Sequence, residues 1–107
     1  AYQNYTIRTK NGECLSVAAA AKLAVSETFQ DTGTMPADPT AAGYAFTPSK
    51  YCAEVDIAAG IITATTQDTG GPDVTFTLTP DEQDGRIDWA CTAAGASNTA
   101  QIPGQCR

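Results

Sequence analysis

The 107-residue chain has the length of one domain and carries a formal net charge of −6 with no histidine. An acidic chain repels phosphate backbones, so it is a poor nucleic-acid partner. The missing histidine removes the commonest general base and the commonest metal ligand. The charge is also segregated: residues 1–31 are neutral in sum, and residues 32–107 carry all of the −6.

Residues 1–31 read as one long helix. Cys14, Ala18, Ala21, Val25 and Phe29 recur at spacings of three and four, the stripe of an amphipathic helix. Lys22 and Glu27 lie off that stripe. Gly12 is a weak point, costing about 1 kcal/mol against alanine inside a helix. Ahead of it Tyr2, Tyr5 and Ile7 do not extend the stripe, so the first turns are expected to project from the globule or to lack their packing partners. Gly33 supplies a left-handed cap, and Pro36 forbids continuation.

Residues 32–53, rich in Thr, Ala, Pro and Gly, form a long connection with Tyr44, Phe46 and Tyr51 as apolar anchors. Irregular segments of this length are uncommon in compact domains and are usually functional. From residue 53 the hydrophobic period becomes two. Val55, Ile57 and Ala59 alternate with polar or small neighbours, and Ile62 and Ala64 follow after a turn at Gly60. Past the Gly70-Gly71-Pro72 turn, Val74, Phe76 and Leu78 alternate with threonines; a turn over Pro80–Gly85 leads to Ile87, Trp89 and Cys91. Four short strands over residues 54–92 predict an antiparallel meander with one apolar face. The fold class is therefore α+β: a long N-terminal helix packed on a four-stranded antiparallel sheet, in one domain over 1–107. Residues after Cys91 read as irregular.

Four cysteines without a C-x-x-C pair point to disulfides and an oxidising compartment rather than to zinc. Three connectivities are open. The most economical joins Cys91 to Cys106, closing the tail onto the last strand; Cys14 then meets Cys52, stapling the helix to the end of the long connection. The competing arrangement keeps Cys91 as a core cysteine and pairs Cys106 elsewhere.

No residue pattern identifies a catalytic, cofactor or metal site. Asp81, Glu82 and Asp84 precede Gly85, but Gln83 breaks calcium-loop spacing, and a solvated turn is the simpler reading. Lys22 and Ser26 stand four apart without an environment that would activate a dyad. Asn4-Tyr5-Thr6 matches a glycosylation acceptor, yet it lies in a predicted helix. Trp89, an alternating inward residue, reads as core rather than as a sugar platform.

The order of these elements resembles a type IVa pilin across nearly the whole chain. Ala1-Tyr2-Gln3-Asn4-Tyr5-Thr6-Ile7-Arg8 resembles the stretch after the hydrophobic pilin N-terminus, and Leu15 to Lys22 resembles the amphipathic helix that follows. Asp31-Thr32-Gly33-Thr34-Met35-Pro36 resembles the pilin helix exit. Trp89-Ala90-Cys91, with Ile102-Pro103 ahead of Cys106, resembles the disulfide-bounded C-terminal region over 91–106. The leader-peptidase site, the early glutamate and the apolar half of the helix are absent, so the resemblance is to a soluble pilin domain lacking them. The Cys14–Cys52 pair is an addition to the common one-disulfide pattern.

The resemblance implies a filament subunit rather than an enzyme. Its partners would be other pilin subunits and the pilus assembly machinery, and no cofactor is implied. It implies membrane anchoring before assembly with the head in the periplasm, then an extracellular pilus serving twitching motility, adhesion and DNA uptake. Subunit contacts are expected from residues 32–53 and 91–106. A minor pilin or secretion pseudopilin, or an unrelated secreted binding domain, are the alternative classes.

Overall fold

The computed structural model describes residues 2–107; the helix expectation at Ala1 lies outside them. Helix α1 runs Tyr2–Thr32. Four strands follow: β1 Cys52–Ala58, β2 Ile61–Thr66, β3 Thr75–Gln83 and β4 Arg86–Ala94. They form one antiparallel sheet in the order β1-β2-β3-β4. Two short 3-10 turns, Thr99–Gln101 and Gly104–Cys106, end the chain.

The stripe Cys14, Ala18, Ala21 and Val25 is fully buried. It faces Val55, Ile57, Ile62, Ala64, Phe76 and Leu78 from the first three strands. Small residues on α1 let the helix sit close to the sheet, and Phe76 fills the centre. Thr63, Thr65, Thr75 and Thr77, on the opposite face, are only partly buried. This two-layer arrangement is the predicted α+β architecture.

Helix α1 ends where Gly33 takes φ 76° and donates its N–H to the Phe29 carbonyl at 2.8 Å. That single bond closes the last turn as a left-handed cap. The connection between α1 and β1 then folds back on itself. Asp38 Oδ1 accepts from the Ala41 N–H at 2.8 Å, and the Tyr44 N–H reaches the Pro39 carbonyl at 2.9 Å. The connection docks on the β1–β2 turn, where the Ala59 and Gly60 amides donate to Ala37 and Pro36. Tyr44 and Phe46 are partly buried against the core. Burial pushes the Tyr44 phenol above its ordinary pKa.

Ala59 is not an inward strand residue; it sits exposed in the β1–β2 turn at φ 52°. Proline does not end β3, which continues to Gln83 and leaves only Asp84 and Gly85 as the turn. Pro80 lies beyond Leu78, the last β3 residue paired with β2, so one side of it is a sheet edge, where proline is tolerated. The β4 row Ile87, Trp89 and Cys91 is half-buried rather than core, because β4 is an edge strand; Trp89 packs on the core from its rim. The chain after Cys91 stays in strand to Ala94 before the 3-10 turns.

The first turns of α1 do not project as a whole. Ile7 is buried, and so is Asn11. The partner of this segment is irregular backbone: Ile7 approaches Gly71, where a Cβ would lie 3.1 Å from its Cδ1. A glycine is required more strictly at position 95. Its φ is 105°, and a Cβ there would fall 2.5 Å from the Asp73 carbonyl oxygen. Gly95→Ala is therefore expected to cost about 2 kcal/mol or more, since both strain and a backbone clash must be relieved. Urea unfolding checks this through the transition midpoint; an unchanged midpoint would contradict the close approach.

Candidate assembly surface

Two segments were expected to carry contacts, residues 32–53 and 91–106, and each is tied down by a disulfide. Cys14 is bonded to Cys52 across the helix–sheet interface, and Cys91 to Cys106 from the edge strand to the last 3-10 turn. Cys14 and Cys52 are wholly buried, whereas Cys91 is half-buried at the sheet edge. The first bond fixes where the long connection rejoins the core. The second holds the C-terminal segment beside β4.

The C-terminal segment is also held by side chains that sequence patterning missed. Asn11 Nδ2 donates to the Gln101 carbonyl at 2.9 Å, wholly buried beneath the first 3-10 turn. Gln101 Nε2 donates to Asn4 Oδ1 at 3.0 Å, and Asn98 caps the same turn by accepting from the Ala100 N–H at 2.8 Å. Asn11 lies at helical spacing from both Ile7 and Cys14, so it belongs to the buried stripe. An asparagine there signals a backbone partner rather than an apolar one. Asn11→Ala leaves the Gln101 carbonyl buried without its donor and is expected to cost about 1–3 kcal/mol. Thermal melting checks the cost, with proteolysis reporting release of residues 95–107. A melt equal to that of the unsubstituted chain would count against this joint.

Tyr2 and Tyr5 are exposed on α1, together with Leu23. A groove of about 310 Å³ runs beside Tyr2, Ile7, Lys10 and Gly70. Lys10 and Lys50 both approach the Tyr51 ring, at 5.2 and 5.4 Å from its centroid. At the far end, Asp81, Glu82 and Asp84 crowd the exposed β3–β4 hairpin. Arg86 is paired there with Asp88 at 3.0 Å, and that carboxylate holds the guanidinium above its ordinary pKa.

Among the described residues no group of His, Cys, Asp or Glu is placed to hold a metal. Lys22 and Ser26 make no hydrogen bond to each other among those residues; Lys22 borders a cleft with Leu15 and Pro103 instead. No described helix is long and apolar enough to cross a membrane.

A long helix under a four-stranded antiparallel sheet, with a disulfide-closed C-terminal region, is matched in sequence as well. Residues 8–107 match the model of the pilin family, a bacterial filament protein. The chain belongs to the pilin family. This pilin is 36% identical to the fimbrial protein EcpC of Eikenella corrodens, in an alignment covering 100% of this chain and 74% of that protein. It is 31% identical to the type IV major pilin protein PilE1 of Neisseria gonorrhoeae, covering 100% and 79% respectively. A fimbrial protein of Neisseria meningitidis serogroup B is 28% identical over the same shares. Membership makes this pilin a structural subunit of filaments assembled from pilin subunits.

Proposed function

We propose that this pilin is the building subunit of a type IV pilus, with residues 1–107 acting as one globular head on the filament exterior. The observation that carries the reading is the family match over residues 8–107, from the second turn of α1 through the Cys91–Cys106 loop. The type IV pilin and fimbrial relatives, aligned along all of this chain, support it.

In this reading the subunit waits at the inner membrane with its head in the periplasm. The assembly machinery then adds it to an extracellular filament whose extension and retraction give twitching motility and adhesion. The head contributes no catalysis. Its two disulfides keep the long connection and the C-terminal region in one conformation, so less ordering is needed when subunits meet. Deleting the gene in its own host is expected to abolish surface filaments in electron micrographs and to shrink the twitching zone, with both restored by the gene in trans. Normal filaments and motility in the deletion strain would refute the reading. Abundance in sheared filaments separates a major subunit from a minor one.

A further inference from the structure

Resting on the filament reading, we propose that the carboxylates at the β3–β4 hairpin tip of one copy dock on the Lys10–Tyr51–Lys50 site of the next copy. Lys10 from α1 and Lys50 from the long connection, 40 residues apart in sequence, bring their ammonium groups to 5.2 and 5.4 Å from one tyrosine ring. Neither forms an ion pair with this chain: among the described residues the one ion pair is Arg86–Asp88. Two cations gathered at one aromatic ring make a site for an anionic partner.

The complementary group is on the same molecule and out of its reach. Beyond Leu78 the sheet narrows to the β3–β4 hairpin alone, because β2 pairs with β3 only up to that residue. This overhang exposes Asp81, Glu82, Asp84 and Asp88 against the single cation Arg86, which is engaged by Asp88. Among the described residues the Asp81 carboxylate accepts from Gln83 Nε2 alone. The tip lies by the end of α1, where Gln83, Arg86 and Ile87 share a groove with Phe29 and Gln30.

From Lys10 to Phe29 the helix climbs roughly 30 Å at 1.5 Å per residue. The screening length at physiological salt is about 8 Å. The two groups therefore cannot satisfy each other within one copy of a body 45 Å long. They can do so between copies. A contact that joins unlike surfaces of identical subunits repeats without closing unless rotation brings it round, and so generates a helical filament. The pairing also sets polarity: a tip meeting a tip, or a lysine site meeting its like, is repelled.

The test uses the full-length gene in its piliated host with the chromosomal copy deleted. Four forms are compared: the unsubstituted chain, Lys10→Glu with Lys50→Glu, Asp81→Lys with Glu82→Lys and Asp84→Lys, and all five substitutions together. The readout is subunit in sheared filaments divided by total subunit in the cell. Each partial reversal is expected to lower that ratio at least about tenfold, because like charges then face each other at every repeat, and the five-fold swap is expected to restore it. If a reversal lowers the total cell level, the neutral pair Lys10→Gln and Lys50→Gln carries the test with the same expected direction. Partial variants that assemble like the unsubstituted chain, or a swap as defective as its halves, would overturn the contact while leaving the filament reading intact. Failure of the unsubstituted chain to enter filaments would overturn that reading, and this contact with it.

Discussion

Replacing Cys14 and Cys52 together by alanine is expected to lower the melting temperature by about 20 °C. The bond closes a span of 38 residues, and its loss returns about 4 kcal/mol of chain entropy to the unfolded state. For a chain of this size each kilocalorie shifts the midpoint by several degrees. Both sulfurs lie in the core at zero exposure, so truncation also leaves unfilled volume between α1 and the sheet. The melt should remain one transition, followed by circular dichroism without reductant. A shift under about 5 °C would mean that helix and sheet hold together without the staple.

Cys91→Ser with Cys106→Ser is expected to act in a different place. That bond closes only 15 residues, giving about 3 kcal/mol by the same entropy argument. The sheet keeps its ladders, and Asn11 still grips the Gln101 carbonyl, so the far-ultraviolet spectrum should be preserved. What is freed is the end of the C-terminal segment beside edge strand β4. The proposal that this region contacts neighbouring subunits then predicts a folded head that no longer enters filaments. Filaments at the usual level from the double-serine variant would contradict it.

The difference between these two bonds shows how far the sequence could be read. Cys14 sits on a stripe of period 3.6 with Ala18, Ala21 and Val25, and Ile62, Phe76 and Leu78 alternate on their strands. Such patterns report burial against regular elements, and the structure follows them. The first turns of α1 escaped the same reading. Their partners are the glycine turn at residues 70–71 and the 3-10 turn at Gln101, which have no periodicity to match. Asn11 is polar because it serves a backbone carbonyl there. Pro80 misled for a related reason: its tolerance depends on where β2 stops pairing, which no local signal in β3 encodes.

The long connection was legible as a segment but not as a surface. Its cap at Gly33 and its return at Cys52 were marked in the residues, whereas its docking on the β1–β2 turn depends on backbone bonds from Ala59 and Gly60. The meeting of Lys10 and Lys50 on Tyr51 is a product of tertiary register. Neither lysine stands out in the chain, and the packing of α1 on β1, with the Cys14–Cys52 bond, brings their two segments together.

Mass spectrometry of filaments sheared from the native cells decides whether this chain is a filament subunit. Peptides of this chain are expected in the filament fraction, with those bearing Cys14 and Cys52, and Cys91 and Cys106, joined until reduced. Recovery of the chain only from the soluble fraction, with filaments built of other proteins, would contradict it.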